Sequence, residues 1–232
     1  MKFDYYYNNV PGEGLCRNNL IYTSLISKDK KTFCQWYHND TEYHHGKNQV
    51  VDAELMDEKW NRELHFLSNM EYHNPGMVPK ILEVNVPERK IYLEIDGVDF
   101  WQRSLDANCS YHDIVPDWDQ QVLDILKAHR ERGWYKYSMH PSSYFVVDGR
   151  LKSINYFFTY SNNEPDLSIA SVQSHISTER QKQLRLYTDT IGVDWNKAYS
   201  LNFIQQLTFD CFSNNYPADF INKAKAIYDP RN

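Results

Sequence analysis

Ser138 and His140 are a nucleophile type and a base type two residues apart, in the aromatic-rich stretch from Gly133 to Phe158. A serine hydroxyl becomes a nucleophile when a histidine takes its proton and a third group orients that histidine. Two residues of loop fix no mutual orientation, and no orienting carboxylate is evident. His140 is therefore expected to pack the loop rather than serve acyl transfer. Asp148 precedes Gly149 and reads as a turn residue. His44 and His45, with His38 nearby, are metal-ligand types, but histidines in a polar loop are expected to be solvated. Trp134-Tyr135 and Tyr156-Phe157-Phe158 have the character of a pocket lining; filling core volume is their expected use.

The elements that must position these residues follow from pattern. Asn8 to Asn19 carries Pro11, Gly12 and Gly14 and reads as a loop. Leu20 to Ile26 and Thr32 to Tyr37 read as a hairpin around the polar turn Ser27 to Lys31. Ala53 to Met70 reads as a helix, because Met56, Trp60, Leu64 and Leu67 recur at three- and four-residue spacing. Asp52 is its expected N-cap, and Glu63 lies beside the stripe, as a carboxylate at the edge of the core. His73-Asn-Pro-Gly76 ends that helix. Val78 to Val86 and Lys90 to Ile95 read as two further strands. Beyond a short connector at Gly97 the chain turns largely helical. A helix from about Asp119 to Arg132 is expected to bury Val122, Ile125, Leu126 and His129, with Asp117 and Gln120 as a capping box. Thr178 to Ile191, Trp195 to Phe212 and Pro217 to Ile227 are further helix candidates.

Length and composition bound the function. A chain of 232 residues suits one domain or two small units sharing a cleft. Its formal net charge of −6 argues against a nucleic-acid binder, which usually presents a basic surface. The four cysteines form no C-x-x-C, so neither zinc nor redox chemistry is suggested, and a reduced cytoplasmic setting is expected. No apolar run is long enough to span a membrane, and Met1 to Tyr7 has no signal-peptide character.

In order and spacing these strings resemble a protein-kinase-like fold. Arg62-Glu63-Leu64 looks like the helix glutamate of the N-terminal lobe. His73-Asn-Pro-Gly-Met-Val-Pro-Lys80 looks like the loop into the fourth strand. Ile91-Tyr-Leu-Glu-Ile-Asp-Gly97 looks like the fifth strand and hinge. The segment from Gly133 looks like the catalytic loop, hairpin and D-F-G turn. The nearest flavour is the branch of lipopolysaccharide kinases and aminoglycoside phosphotransferases, over about Ile21 to Tyr160. The resemblance implies an α+β, two-lobed fold: an antiparallel β N-lobe with one helix over residues 1–96, a reduced helical C-lobe over 97–232, and one cleft between them. ATP with Mg²⁺ would be the cofactor of such a cleft.

The departures decide the functional expectation. Where such folds carry H-x-D-x-x-x-x-N, this chain has Lys136, Ser138 and Ser143; where they carry D-F-G, it has Asn155-Tyr156-Phe157. Ser138 stands at the place of the catalytic base and cannot act as one unaided. Ser143 and Asn155 offer Mg²⁺ only neutral oxygens. The strand Thr32 to Tyr37 lacks the phosphate-orienting lysine, and Glu63 would need a displaced partner such as Lys28, Lys30 or Lys31. Glu63, Ser143 and Asn155 are thus degenerate nucleotide and Mg²⁺ positions. The expectation is a pseudokinase-like binding or regulatory module, with a protein partner or a small-molecule ligand in the cleft. The alternative is a divergent ATP-dependent phosphotransferase acting on a sugar or other small-molecule hydroxyl.

Overall fold

The computed structural model describes residues 22–38, 53–136, 139–161, 212–213 and 215–228. Strands β1 (Tyr22–Ile26), β2 (Thr32–Tyr37), β3 (Ile81–Asn85) and β4 (Lys90–Glu94) form one antiparallel sheet in the order β1-β2-β4-β3. Helix α1 (Ala53–His73) lies between β2 and β3 in sequence. The two hairpins anticipated from the pattern therefore share a sheet. The third strand is shorter than expected, Ile81–Asn85 rather than Val78 to Val86, and the residues just before Val78 bond to Lys152 and Ser153. The Met77 carbonyl takes the Ser153 N–H at 2.8 Å and the Gly76 carbonyl takes Lys152 Nζ at 2.8 Å.

α1 runs one turn beyond the expected Met70 and stops before Pro75, which disfavours helical geometry in the residue preceding it. It buries Met56 and Trp60, and packs Phe66, Leu67 and Met70 with Ile26, Phe33, Ile91 and Leu93 of the sheet and with Ile95 just after it. Asp52, the expected N-cap, lies outside the described residues.

After Gly97 (φ 92°) the chain forms α2 (Phe100–Ala107) and α3 (Tyr111–Ile114), two short helices that the pattern did not separate. Asp99 caps α2, its buried carboxylate accepting the Gln102 N–H at 3.0 Å. Then come α4 (Trp118–Glu131), β5 (Trp134–Lys136), a 3₁₀ turn (Pro141–Ser143), the hairpin β6 (Tyr144–Val147) and β7 (Arg150–Ser153), a second 3₁₀ turn (Tyr156–Phe158) and β8 (Thr159–Ser161). The last described element is α5 (Ala218–Tyr228). The helix candidates Thr178 to Ile191 and most of Trp195 to Phe212 lie outside the described residues, as does the loop Asn8 to Asn19.

α4 buries Val122, Ile125, Leu126 and His129 as expected. Its capping box does not form. Asp117 has φ −109° and ψ 27°, not the extended geometry a cap needs, and its carboxylate instead takes Gln121 Nε2 at 2.8 Å. Gln120 turns to Asp124 (2.8 Å), and Gln121 Oε1 accepts the Leu151 N–H in the second strand of the β6–β7 hairpin (2.8 Å).

The β6–β7 connection is Asp148-Gly149 with φ of 51° and 72°. Two positive φ angles in a two-residue loop suit the twist of a hairpin, so the turn reading of Asp148 holds. Phe145 of β6 packs on Phe33 of β2, ring centroids 5.2 Å apart. That contact joins the sheet to the hairpin and brings β2 over the second 3₁₀ turn.

Candidate functional site

β2 alternates, so Phe33, Gln35 and Tyr37 share one face. All three are buried. Phe33 supplies the packing contact on Phe145. Gln35 is a polar residue at a core position, and its side chain reaches Asn155: Gln35 Nε2 donates to Asn155 Oδ1 at 3.3 Å. Asn155 Nδ2 in turn donates to Ser143 Oγ at 3.1 Å. Asn155 holds a left-handed conformation, φ 65° and ψ 57°, which asparagine tolerates better than most residues. The geometry thus brings together two of the four sequence candidates, Ser143 and Asn155, and adds Gln35, which sequence reasoning missed. The available signal was an amide flanked at i±2 by Phe33 and Tyr37. Ser138 lies outside the described residues.

Glu63 is not the edge-of-core carboxylate expected from its place beside the stripe; it is fully buried. Glu63 Oε2 accepts the Phe157 N–H at 2.6 Å and stands 3.5 Å from the Tyr37 hydroxyl, while Oε1 has no hydrogen-bond partner. Burial lifts its carboxyl to about 7, opposed by the Phe157 N–H and by the charge of Lys136. Lys28, Lys30 and Lys31 do not serve as its partner. All three are exposed on the β1–β2 turn, and Lys31 pairs with Asp96 at 2.6 Å. The cation that acts on Glu63 is Lys136 of β5, itself fully buried, with Nζ 5.2 Å from the Tyr156 ring centroid.

His140 does the packing work expected of it. It caps the first 3₁₀ turn, Nδ1 accepting the Ser142 N–H at 3.1 Å and lying 2.8 Å from Ser142 Oγ, and its ring meets Trp101 edge-on at 5.2 Å. His38 lies 2.7 Å from Thr23 Oγ1; His44 and His45 lie outside the described residues. Among the described residues no group of three or more His, Cys, Asp or Glu is placed to hold a metal ion. Tyr135, Tyr156 and Phe157 are buried, as the volume-filling reading expects, while Trp134 is buried but borders an open depression. The depression, of about 590 Å³, sits between α1 and β5–β8, lined by Arg62, His65, Phe66 and Trp134 among others.

The chemistry of Gln35, Asn155 and Ser143 is that of neutral hydrogen bonding. None carries charge near neutral pH. Both polar ends of the Asn155 amide are engaged. A cation at Asn155 Oδ1 would receive one neutral oxygen and would have to displace Gln35. Such side chains offer a phosphate no cation and Mg²⁺ no carboxylate.

No family model matches the chain, and no curated protein matches it. Solved structures do. The crystal structure of monomeric WbdD aligns with 90% of this chain and 49% of its own, at 14% identity and a TM-score of 0.51. A structure of the bifunctional kinase-methyltransferase WbdD aligns with 97% and 52% at 14% identity and a TM-score of 0.47. This chain therefore spans about half the length of those chains. Likeness at this identity concerns fold alone. The fold is α+β with an antiparallel sheet and several helices, compatible with a kinase-like fold. Among the described residues, no helix is long and apolar enough to cross a membrane.

Proposed function

We propose that this chain is a two-lobed, kinase-fold protein without ordinary phosphotransferase activity, acting as a binding or regulatory module. Residues 1–96 form its N-lobe and 97–232 its C-lobe, with Asp96-Gly97 as the hinge and a small molecule or a protein partner in the cleft. A cytoplasmic setting fits this reading. The observation that carries it is the hydrogen-bonded chain Gln35–Asn155–Ser143. In the strand where the resemblance expects a lysine, and at the positions where it expects an aspartate and an asparagine, these side chains are neutral and bonded to one another. The buried lysine that acts on Glu63 supports it further, because Lys136 has no exposed surface to offer a phosphate.

The alternative, an ATP-dependent phosphotransferase acting on a sugar or other small-molecule hydroxyl, draws on the description of WbdD as a kinase. It would need a cation and a carboxylate from elsewhere in the chain. Calorimetry separates the two on metal use. If ATP binds, its affinity is expected to be the same within about threefold with and without Mg²⁺, since the protein adds no charged ligand at Ser143 or Asn155. A large metal-dependent gain would favour the alternative.

A further inference from the structure

Three α1 side chains within about one helical turn grip one short segment. Glu63 accepts the Phe157 N–H at 2.6 Å. Arg62 Nη1 donates to the Thr159 carbonyl at 3.0 Å and its guanidinium lies 4.4 Å from the Tyr160 ring centroid. Lys59 Nζ donates to the Tyr160 hydroxyl at 3.3 Å. The segment starts two residues after Asn155, whose amide bridges Gln35 and Ser143.

The grip contains an unbalanced group. Glu63 is fully buried and Oε1 has no hydrogen-bond partner. A buried carboxylate with an unsatisfied oxygen is costly while ionised and much less so when protonated. We propose that α1 is a proton-responsive latch: with Glu63 protonated it holds residues 157–160 closed, and loss of that proton loosens the hold and frees Asn155 from Gln35 and Ser143.

Burial sets the sign, against the groups facing Glu63. Lys59 and Arg62 flank it on α1 and hold Tyr160 of β8, Tyr37 faces it from β2, Tyr156 from the 3₁₀ turn and Lys136 from β5; His129 of α4 lies 3.1 Å from the Tyr156 hydroxyl. Lys136 favours the ionised form, but burial outweighs it and raises the carboxyl from 4.5 to about 7. A raised carboxyl means that the closed state binds the proton more tightly than an open, hydrated state does. The closed state is thus favoured at low pH and loses ground as pH rises from 4.5 to about 7, with no further change above.

Amide hydrogen exchange on the full chain between pH 5 and 8, corrected for intrinsic rates, tests this. Protection at the Phe157 and Tyr160 amides is expected to fall with rising pH by up to on the order of 10²-fold, as a single coupled proton allows. The Leu126 amide in α4 is expected to keep a flatter profile. Glu63→Gln, which keeps an acceptor for Phe157 but cannot ionise, is expected to abolish the slope. A flat wild-type profile would overturn the latch, and decides the matter even if the variant does not fold. So would the same slope at Leu126, which would mean global unfolding, or a slope that survives in Glu63→Gln.

Discussion

Trp118→Ala is expected to lower the unfolding free energy by about 3–5 kcal/mol, the range for truncating a buried aromatic. Trp118 is 1% exposed and stacks on Tyr216, centroids 5.7 Å apart and planes 18° apart. It also meets Phe220 of α5 at 5.1 Å and Tyr111 of α3 at 5.4 Å. One side chain at the start of α4 thus holds α3 and the C-terminal helix to the core. Its indole N–H has no partner, so truncation orphans no acceptor and the cost is that of lost packing. Urea denaturation of parent and variant checks this, with a shift in midpoint at unchanged slope. A loss under about 1 kcal/mol would mean that α5 does not depend on this contact.

The second large effect separates metal binding from catalysis. The variant Ser138→Asp, Ser143→Asn, Asn155→Asp is expected to gain Mg²⁺-dependent nucleotide affinity and still fail to transfer phosphate. A carboxylate at 155 attracts a hard cation that the amide does not. Gln35 would remain in β2 with no charge to orient a phosphate, and mispositioned reactants forfeit most of the rate. ADP release by parent and variant measures the outcome. Turnover by the variant alone, at roughly 1–100 s⁻¹, would show that the glutamine in β2 is not what blocks activity.

Much of the frame was legible because period and punctuation agree. β2 was read at its observed bounds, α1 from its three-and-four spacing, and the β6–β7 turn from Asp148-Gly149. The short helices α2 and α3 were not. Four to eight residues give too few periods to register, and the Asp99 cap that starts α2 is a tertiary fact as much as a local one. The Asp117–Gln120 pair had capping-box spacing but not the backbone angles that make a cap.

The candidate site was legible as an absence and not as an arrangement. The strand without lysine, Ser143 and Asn155 could be read from residue types. That Gln35 fills the gap depends on which face of β2 turns inward, and that Asn155 joins it to Ser143 depends on a left-handed backbone at 155. Glu63 was placed at the edge of the core because helical spacing alone ranks it beside the stripe. Its burial follows from β2 and the 3₁₀ turn closing over it, and Lys136, from a strand 73 positions later, is what acts on it.

The central claim is that the neutral chain Gln35–Asn155–Ser143 leaves a kinase-like frame without phosphotransfer. The most direct measurement is release of radiolabelled γ-phosphate from Mg²⁺-ATP by the unmodified chain, alone and with small-molecule hydroxyl acceptors. The expected result is no turnover above the uncatalysed background under any of these conditions. Turnover at an ordinary kinase rate, roughly 1–100 s⁻¹, with any acceptor, would contradict it.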